Sequence, residues 1–403
     1  MTFSPEIDST SGGQCNGEGL NRQVADETLI GMWHTNLTEG RSSVKVKHGL
    51  IRFLEEKIDN YRGFRLGLVS NATSVDYTYE HTMHRLKAHP AATLTAVFGP
   101  QHGIFGHTQD NMVEWHSYRD RATGLPFFSL YGETRIPTEE MMDHVDAVLF
   151  DIQDVGARYY TFIYTMANVM KACARDGKKM VVLDRPNPIN GTDVEGQLVK
   201  SSYTSFVGMY PIANRHGMTC GELAQMFNDL FEIGCELDVV PLEGWVREMW
   251  ADQTGVPWVM PSPNMPTLDT AVVYPGMCLL EGTNLSEGRG STRPFEVMGA
   301  PFIEPRRLLK RLIDFHLPGV RFRELLFRPT FQKFKGESCG GVQLHVTNRS
   351  VFKSMLTAVA IIKAVRDLYP KQFQWKLPPY EYEYVKLPFD ILAGSSELRS
   401  CLL

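Results

Sequence analysis

A chain of 403 residues exceeds what one hydrophobic core usually organises, so two domains are expected. Its 43% hydrophobic and 22% charged residues are ordinary for a soluble globular protein, and a formal net charge of -5 leaves no basic stripe for a nucleic-acid backbone. No stretch approaches the roughly 18 uninterrupted apolar residues of a membrane span, so neither nucleic acid nor membrane is expected as a partner.

The first thirty residues carry Asp8, Glu18 and Asp26 and lack the apolar segment of a signal peptide. The expected location is cytoplasmic, or periplasmic or secreted if the start is misplaced. Residues 1 to 45, rich in Ser, Gly, Asn and Glu, read as a flexible leader. Seven cysteines (Cys15, Cys173, Cys220, Cys235, Cys278, Cys339, Cys401) are odd in number and never spaced as C-x-x-C. That pattern suggests neither a disulfide framework nor a zinc site, and reduced, mostly buried thiols are expected.

From residue 46 to about 252, short β-rich runs alternate with amphipathic stretches of helical length, the pattern of a Rossmann-like, largely parallel α/β sheet. The predicted strands are 65–70, 93–98, 147–152 and 179–184, and a helix over 161–176 stops at Gly177. Each strand ends in polar residues: Asn71; Gln101 and His102; Asp151 and Asp154; Asp184, Arg185 and Asn187. Ligands of open α/β sheets bind beyond the carboxyl ends of strands, so these endings are expected to meet in one cleft.

Several stretches there carry possible chemistry. Asp151 to Tyr160 places two carboxylates three residues apart, followed by Gly156 and by Arg158, which could pair with either acid; a structural Asp–Arg pair is the alternative. The loop Asp184-Arg-Pro-Asn-Pro188 is rigid and suits either a hydroxylated ligand or plain turn chemistry. His102, His107, His216 and Glu222 match no zinc spacing, so no metal is implied. With no G-x-S-x-G and no local cysteine signature, covalent acyl chemistry lacks support.

Residues 253 to 403 read as a smaller α/β domain that follows the break at 250–258, with a helix over 305–315, a strand near 341–347 and a helix over 350–368. Its Gly-rich segment, Gly282 to Gly290, matches neither phosphate-loop pattern. Arg289 and Arg293 could hold a carboxylate bidentately, or Arg289 could instead pair with Glu281 or Glu287. Asp151, Asp154, Glu281, Asn71, Asn187, Asn264, Tyr159 and Tyr160 together form a palette that suits a carbohydrate.

The segments FDIQDVGARYYTFIYT, VVLDRPNPINGTDVEG, RHGMTCGELA, PSPNMPTLDTAVVYPG and LLEGTNLSEGRGSTRPFEVMGAPFI resemble the exo-β-N-acetylmuramidase (NamZ-type) family of peptidoglycan-recycling glycoside hydrolases. The resemblance runs over roughly residues 48 to 390. It implies a Rossmann-like N-terminal domain, a smaller C-terminal domain and an active site between them. The implied reaction removes terminal N-acetylmuramic acid from a muropeptide or disaccharide, without a nucleotide cofactor.

Family members commonly show Pro-Glu-His-Gly where this chain has Pro100-Gln101-His102-Gly103, and Gln101 has no titratable proton to give. Three readings follow. Asp110 or Glu114, raised in pKa by burial against Trp115, supplies the acid; Gln101 holds a sugar amide while Asp151 or Asp154 activates water; or hydrolysis is lost and sugar binding kept. The expected roles place His102 and Asn71 on the sugar, Arg158 as the cation holding Asp151 and Asp154 ionised, and Arg289 and Arg293 on the lactyl carboxylate of muramic acid. Gln101, Tyr160, Asp184, Asn187, His216, Asn264 and Glu281 complete the expected binding set.

Overall fold

Seven strands form the main sheet of the computed structural model, which describes residues 46–109 and 112–402. The expected leader, Cys15 and Asp110 lie outside the described residues. The strands are β1 Arg65–Ser70, β2 Thr93–Gly99, β3 Tyr118–Arg119, β4 Pro126–Ser129, β5 Ala147–Asp151, β6 Lys179–Leu183 and β7 Glu236–Val240. Their order is β3-β4-β2-β1-β5-β6-β7, with every neighbouring pair parallel except β3 and β4.

Alternation along the strands decides which face each side chain covers. Leu66 and Leu68 of β1, Leu149 of β5 and Val181 and Leu183 of β6 pack with Leu50, Phe53, Met83 and Leu86 on one face. Val69, Val148, Phe150, Met180 and Val182 point the other way, into a core shared with the helices Phe162–Asp176 and Cys220–Asp229. Both faces are covered, which is why these strands read as near-continuous apolar runs. The helix Phe162–Asp176 ends on Gly177 in the left-handed region (φ 61°), as the sequence predicts.

A second, antiparallel sheet has the order β8-β10-β9, with β8 Val297–Ala300, β9 Val320–Phe327 and β10 Cys339–Val346. Helix Pro305–Ile313 packs on β9 and β10, and starts where Glu304 accepts from the amides of Arg306 and Arg307. The helix expected from residue 350 begins at Ser354 instead, because Asn348 takes the Ser350 amide into a local turn. The hydrophobic core runs without a break from the large sheet into this second layer.

Among the described residues no helix is long and apolar enough to cross a membrane. Cys173, Cys220, Cys235, Cys278 and Cys339 are buried free thiols and Cys401 is an exposed one.

The helix Leu268–Met277 crosses Ser354–Leu368 at a point of backbone contact. The Gly276 amide donates to Ser354 Oγ at 2.7 Å, and that hydroxyl donates to Val273 O at 2.7 Å. A Cβ on Gly276 would stand 1.9 Å from the Ser354 carbonyl oxygen, with no flexible side chain to move aside. Gly276→Ala is therefore expected to destabilise the fold by about 3 kcal/mol or more, read from urea unfolding.

Candidate active site

The strand β2 runs out into Pro100-Gln101-His102-Gly103, where His102 (φ 68°) and Gly103 (φ 76°) are both left-handed and the Gly103 amide donates to Pro100 O. This tight turn sets Gln101 and His102 at the edge of a narrow recess. Thr161 Oγ1 donates to Gln101 Oε1 at 2.9 Å, and His102 Nδ1 lies 2.7 Å from Thr108 O. Tyr159, Tyr160 and Thr161, from the segment after β5, form the next wall. The second layer closes the recess with Asn264, Tyr274, Glu281, Arg289, Phe295, Tyr380 and Glu381.

Two carboxylates share this recess in opposite electrostatic settings. Glu281 Oε1 accepts from Arg289 Nη2 at 2.9 Å and Nε at 3.3 Å, and Oε2 from the Tyr380 hydroxyl at 2.7 Å. Burial works to raise its pKa, but Arg289 and these hydrogen bonds outweigh burial and hold it below the ordinary carboxylate value. Arg289 also faces Glu287 Oε1 at 3.5 Å, and Glu287 is bound in turn by Lys333 at 3.0 Å.

Glu381 is buried with one weak hydrogen bond, from the Tyr131 hydroxyl at 3.3 Å. Its pKa is pushed up to about 7, first by burial and then by the charge of Glu281, against smaller opposing effects of Arg289, Tyr131 and Arg135. The half-buried Arg135 guanidinium stacks over Tyr382 at 3.9 Å, Phe206 at 4.8 Å and Tyr131 at 5.3 Å. Its Nε and Nη2 have no hydrogen-bond partner among the described residues.

Of the residues singled out from sequence, Gln101, His102, Tyr159, Tyr160, Asn264, Glu281 and Arg289 line the recess. Asn264 exchanges hydrogen bonds with Gln109 through both its amide atoms. The other nine are placed elsewhere, each with a structural partner. Asp151 is fully buried at the end of β5, bound by Arg185 Nε at 2.6 Å and Nη2 at 3.0 Å, with Thr82 also donating to it. Asn71 accepts from the amide and hydroxyl of Thr73 in a local turn.

Arg158 corrects the sequence reading: it touches neither aspartate and instead donates to the carbonyls of Gln197, Ile212 and Leu392. Asp154 takes the Gly156 amide at 2.6 Å and His216 Nε2 at 3.1 Å, while His216 Nδ1 accepts from Met218 N. Asp184 accepts from the Gly221 amide and Thr219 hydroxyl at the start of helix Cys220–Asp229, and burial raises its pKa to about 6. Asn187 bridges Met218 O and the Ile189 amide.

Arg293 pairs with Glu296 outside the recess. Glu114 is exposed, not buried, and accepts from the Tyr382 hydroxyl at 3.1 Å. Arg289 does pair with Glu281 and Glu287, the alternative that the sequence had left open. Among the described residues no group of three or more His, Cys, Asp or Glu side chains is gathered closely enough to hold a metal ion.

Glu381, Tyr380, Tyr131 and Arg135 were not singled out from sequence. The available signal was the run Pro378-Pro-Tyr-Glu-Tyr-Glu-Tyr384, two prolines followed by alternating acids and aromatics.

Two family descriptions match the chain from residue 66 onward: Exo-beta-N-acetylmuramidase NamZ, N-terminal, over residues 66–269, and its C-terminal counterpart over 272–403. The chain belongs to this family. It is 46% identical over 356 residues to the Peptidoglycan beta-N-acetylmuramidase NamZ of Bacillus subtilis (strain 168), which covers 88% of this chain and 84% of that protein. Two crystal structures of DUF1343 family proteins from Bacteroides fragilis NCTC 9343 share the fold. One has a TM-score of 0.79 at 36% identity, covering 89% of this chain and 91% of that one. The other has a TM-score of 0.68 at 28% identity, covering 89% and 90%.

Removing the counter-charge of Glu281 gives a signed prediction. Arg289→Met strands a buried carboxylate and is expected to cost about 3–5 kcal/mol at pH 7. In the native chain the pKa of Glu281 is lowered by folding, so its contribution is present above the unfolded value and fades on acidification. In Arg289→Met the folded pKa rises, so the deficit should shrink between pH 7 and pH 5, measured by urea unfolding at both.

Proposed function

We propose that this chain is an exo-acting β-N-acetylmuramidase that releases terminal N-acetylmuramic acid from small peptidoglycan fragments. The observation that carries the reading is the pair of glutamates facing one recess, one held as an anion by Arg289 and the other protonatable near neutral pH. Two carboxyl groups in divergent environments are what glycoside hydrolysis requires. A protein that only binds sugar has no need of a buried, protonatable Glu381.

We take residues 46–252 and 253–403 as the two domains; the first supplies Gln101, His102 and Tyr160, the second Asn264, Glu281, Arg289 and Glu381. The lactyl carboxylate needs a cation that is not already neutralised. Arg289 is bracketed by Glu281 and Glu287, whereas Arg135 has no ion-pair partner among the described residues and stacks on Tyr131, the hydrogen-bond donor to Glu381. Arg135 is accordingly the residue assigned to that carboxylate.

A chromogenic N-acetylmuramide and the matching glucosaminide test the reading together. A charge-assisted hydrogen bond contributes about 1.5–3 kcal/mol, so kcat/KM for the muramide should exceed that for the glucosaminide by roughly 10- to 100-fold. Equal turnover of both would remove acid recognition, and turnover of neither would remove the hydrolase. Arg135→Met should raise KM for the muramide by a similar factor, with a smaller effect on the glucosaminide.

A further inference from the structure

Gln101 lines the recess and accepts from Thr161, and its amide cannot protonate a leaving oxygen. Among the described residues lining the recess, Glu281 and Glu381 are the carboxylic acids. Glu281 is held as an anion: both oxygens accept hydrogen bonds, from a guanidinium and a phenol, and a proton on it would cancel the charge that Arg289 pairs with. Glu381 is placed differently. Among the described residues no hydrogen bond engages its Oε1, and its Oε2 has only the long contact from Tyr131.

The backbone holds Glu381 in that place. Glu381 (φ 44°) and Tyr382 (φ 66°) are both left-handed, a conformation non-glycine residues adopt only where the surroundings impose it. The surroundings do so. Tyr380 and Glu383 exchange both backbone hydrogen bonds across the turn, and Tyr380 is tied through its hydroxyl to Glu281. The following helix, Pro388–Ala393, is fixed where Arg158 and Asn214 donate to Leu392 O and Gln197 donates to Ala393 O.

Resting on the hydrolase reading above, we propose that Glu381 is the general acid of this site and that Glu281 remains an anion which stabilises positive charge developing at the anomeric carbon. The glycosidic C1–O bond breaks with its electron pair on oxygen, and that oxygen takes the Glu381 proton. Water then bonds to C1, and the proton it releases returns to Glu381, directly or through solvent, so that one water is consumed per bond cleaved. Glu281 and Arg289 on one side, Tyr131 and Arg135 on another, Tyr380 and Tyr382 within the turn and His102 across the recess are the titratable and charged groups around it.

The test compares two substrates of one enzyme. A muramyl–glucosamine disaccharide leaves as a poor alkoxide and needs the acid; a 4-nitrophenyl muramide leaves as a stabilised phenolate and does not. Glu381→Gln is expected to lower kcat/KM on the disaccharide by roughly 10²- to 10⁴-fold and on the nitrophenyl substrate far less. Equal losses on both, or a loss on neither, would overturn the proposal. Should the variant not fold, the native enzyme decides: a basic limb near pH 7 is expected in kcat/KM for the disaccharide and should be weak or missing for the nitrophenyl substrate, and identical limbs would overturn it. A native enzyme that cleaves neither substrate would instead overturn the hydrolase reading itself.

Discussion

Burying Glu281 without a counter-charge would cost several kcal/mol, and Arg289 is what makes its position possible. Much of the recess is arranged around that pair. Phe295 lies under the guanidinium at 5.1 Å, Glu287 and Lys333 extend the charges into an alternating cluster, and Tyr380 satisfies the remaining Glu281 oxygen. An ionised Glu281 then raises the proton affinity of Glu381, the residue that follows Tyr380. The charge of Glu281 thus adds to burial, the larger cause, in raising the proton affinity of a second carboxyl.

The sheet explains where this recess lies. In an open α/β sheet the crevice forms where the chain reverses direction, here between β1 and β5, since β2 flanks β1 on one side and β5 on the other. That crevice is closed. Asp151, Arg185 and Thr82 fill the ends of these strands with a buried, hydrogen-bonded ion pair, and Asn71 folds onto Thr73 beside it. The open space lies instead beyond β2 and the segment after β5, where the second sheet and its loops lean over Gln101 and Tyr160. Arg158 anchors that arrangement by donating across to Leu392 O, a carbonyl more than two hundred residues along the chain.

The four central strands of the large sheet were legible in the sequence because they are apolar on both faces, as in 147–151 and 179–183, whereas the short β3 and β4 and the more exposed β7 were not. β9 was not. Val320–Phe327 carries Arg321, Arg323 and Glu324 on an edge strand, so its alternation reads as a polar stretch. Site residues were legible where polarity ended a strand, as at Gln101 and His102. Strand-end polarity alone does not separate a ligand contact from a buried structural pair: Asp151, Asp184 and Asn187 fit the rule and serve the fold. Glu381 lies in a loop between irregular segments, and only the three-dimensional closure of the second layer onto the first brings it beside Glu281.

Glutamine at position 101 fits this arrangement without strain. A glutamate there would meet the Thr161 hydroxyl equally well, but as an anion it would add a second negative charge to a recess that already holds ionised Glu281. Like charges in a desolvated space raise one another's proton affinity, so a carboxylate at 101 would compete with Glu381 for one proton. An amide keeps the hydrogen bond to Thr161 and removes the competition. The protonatable carboxyl of the recess is then the one on the turn that Tyr380 and Glu383 close.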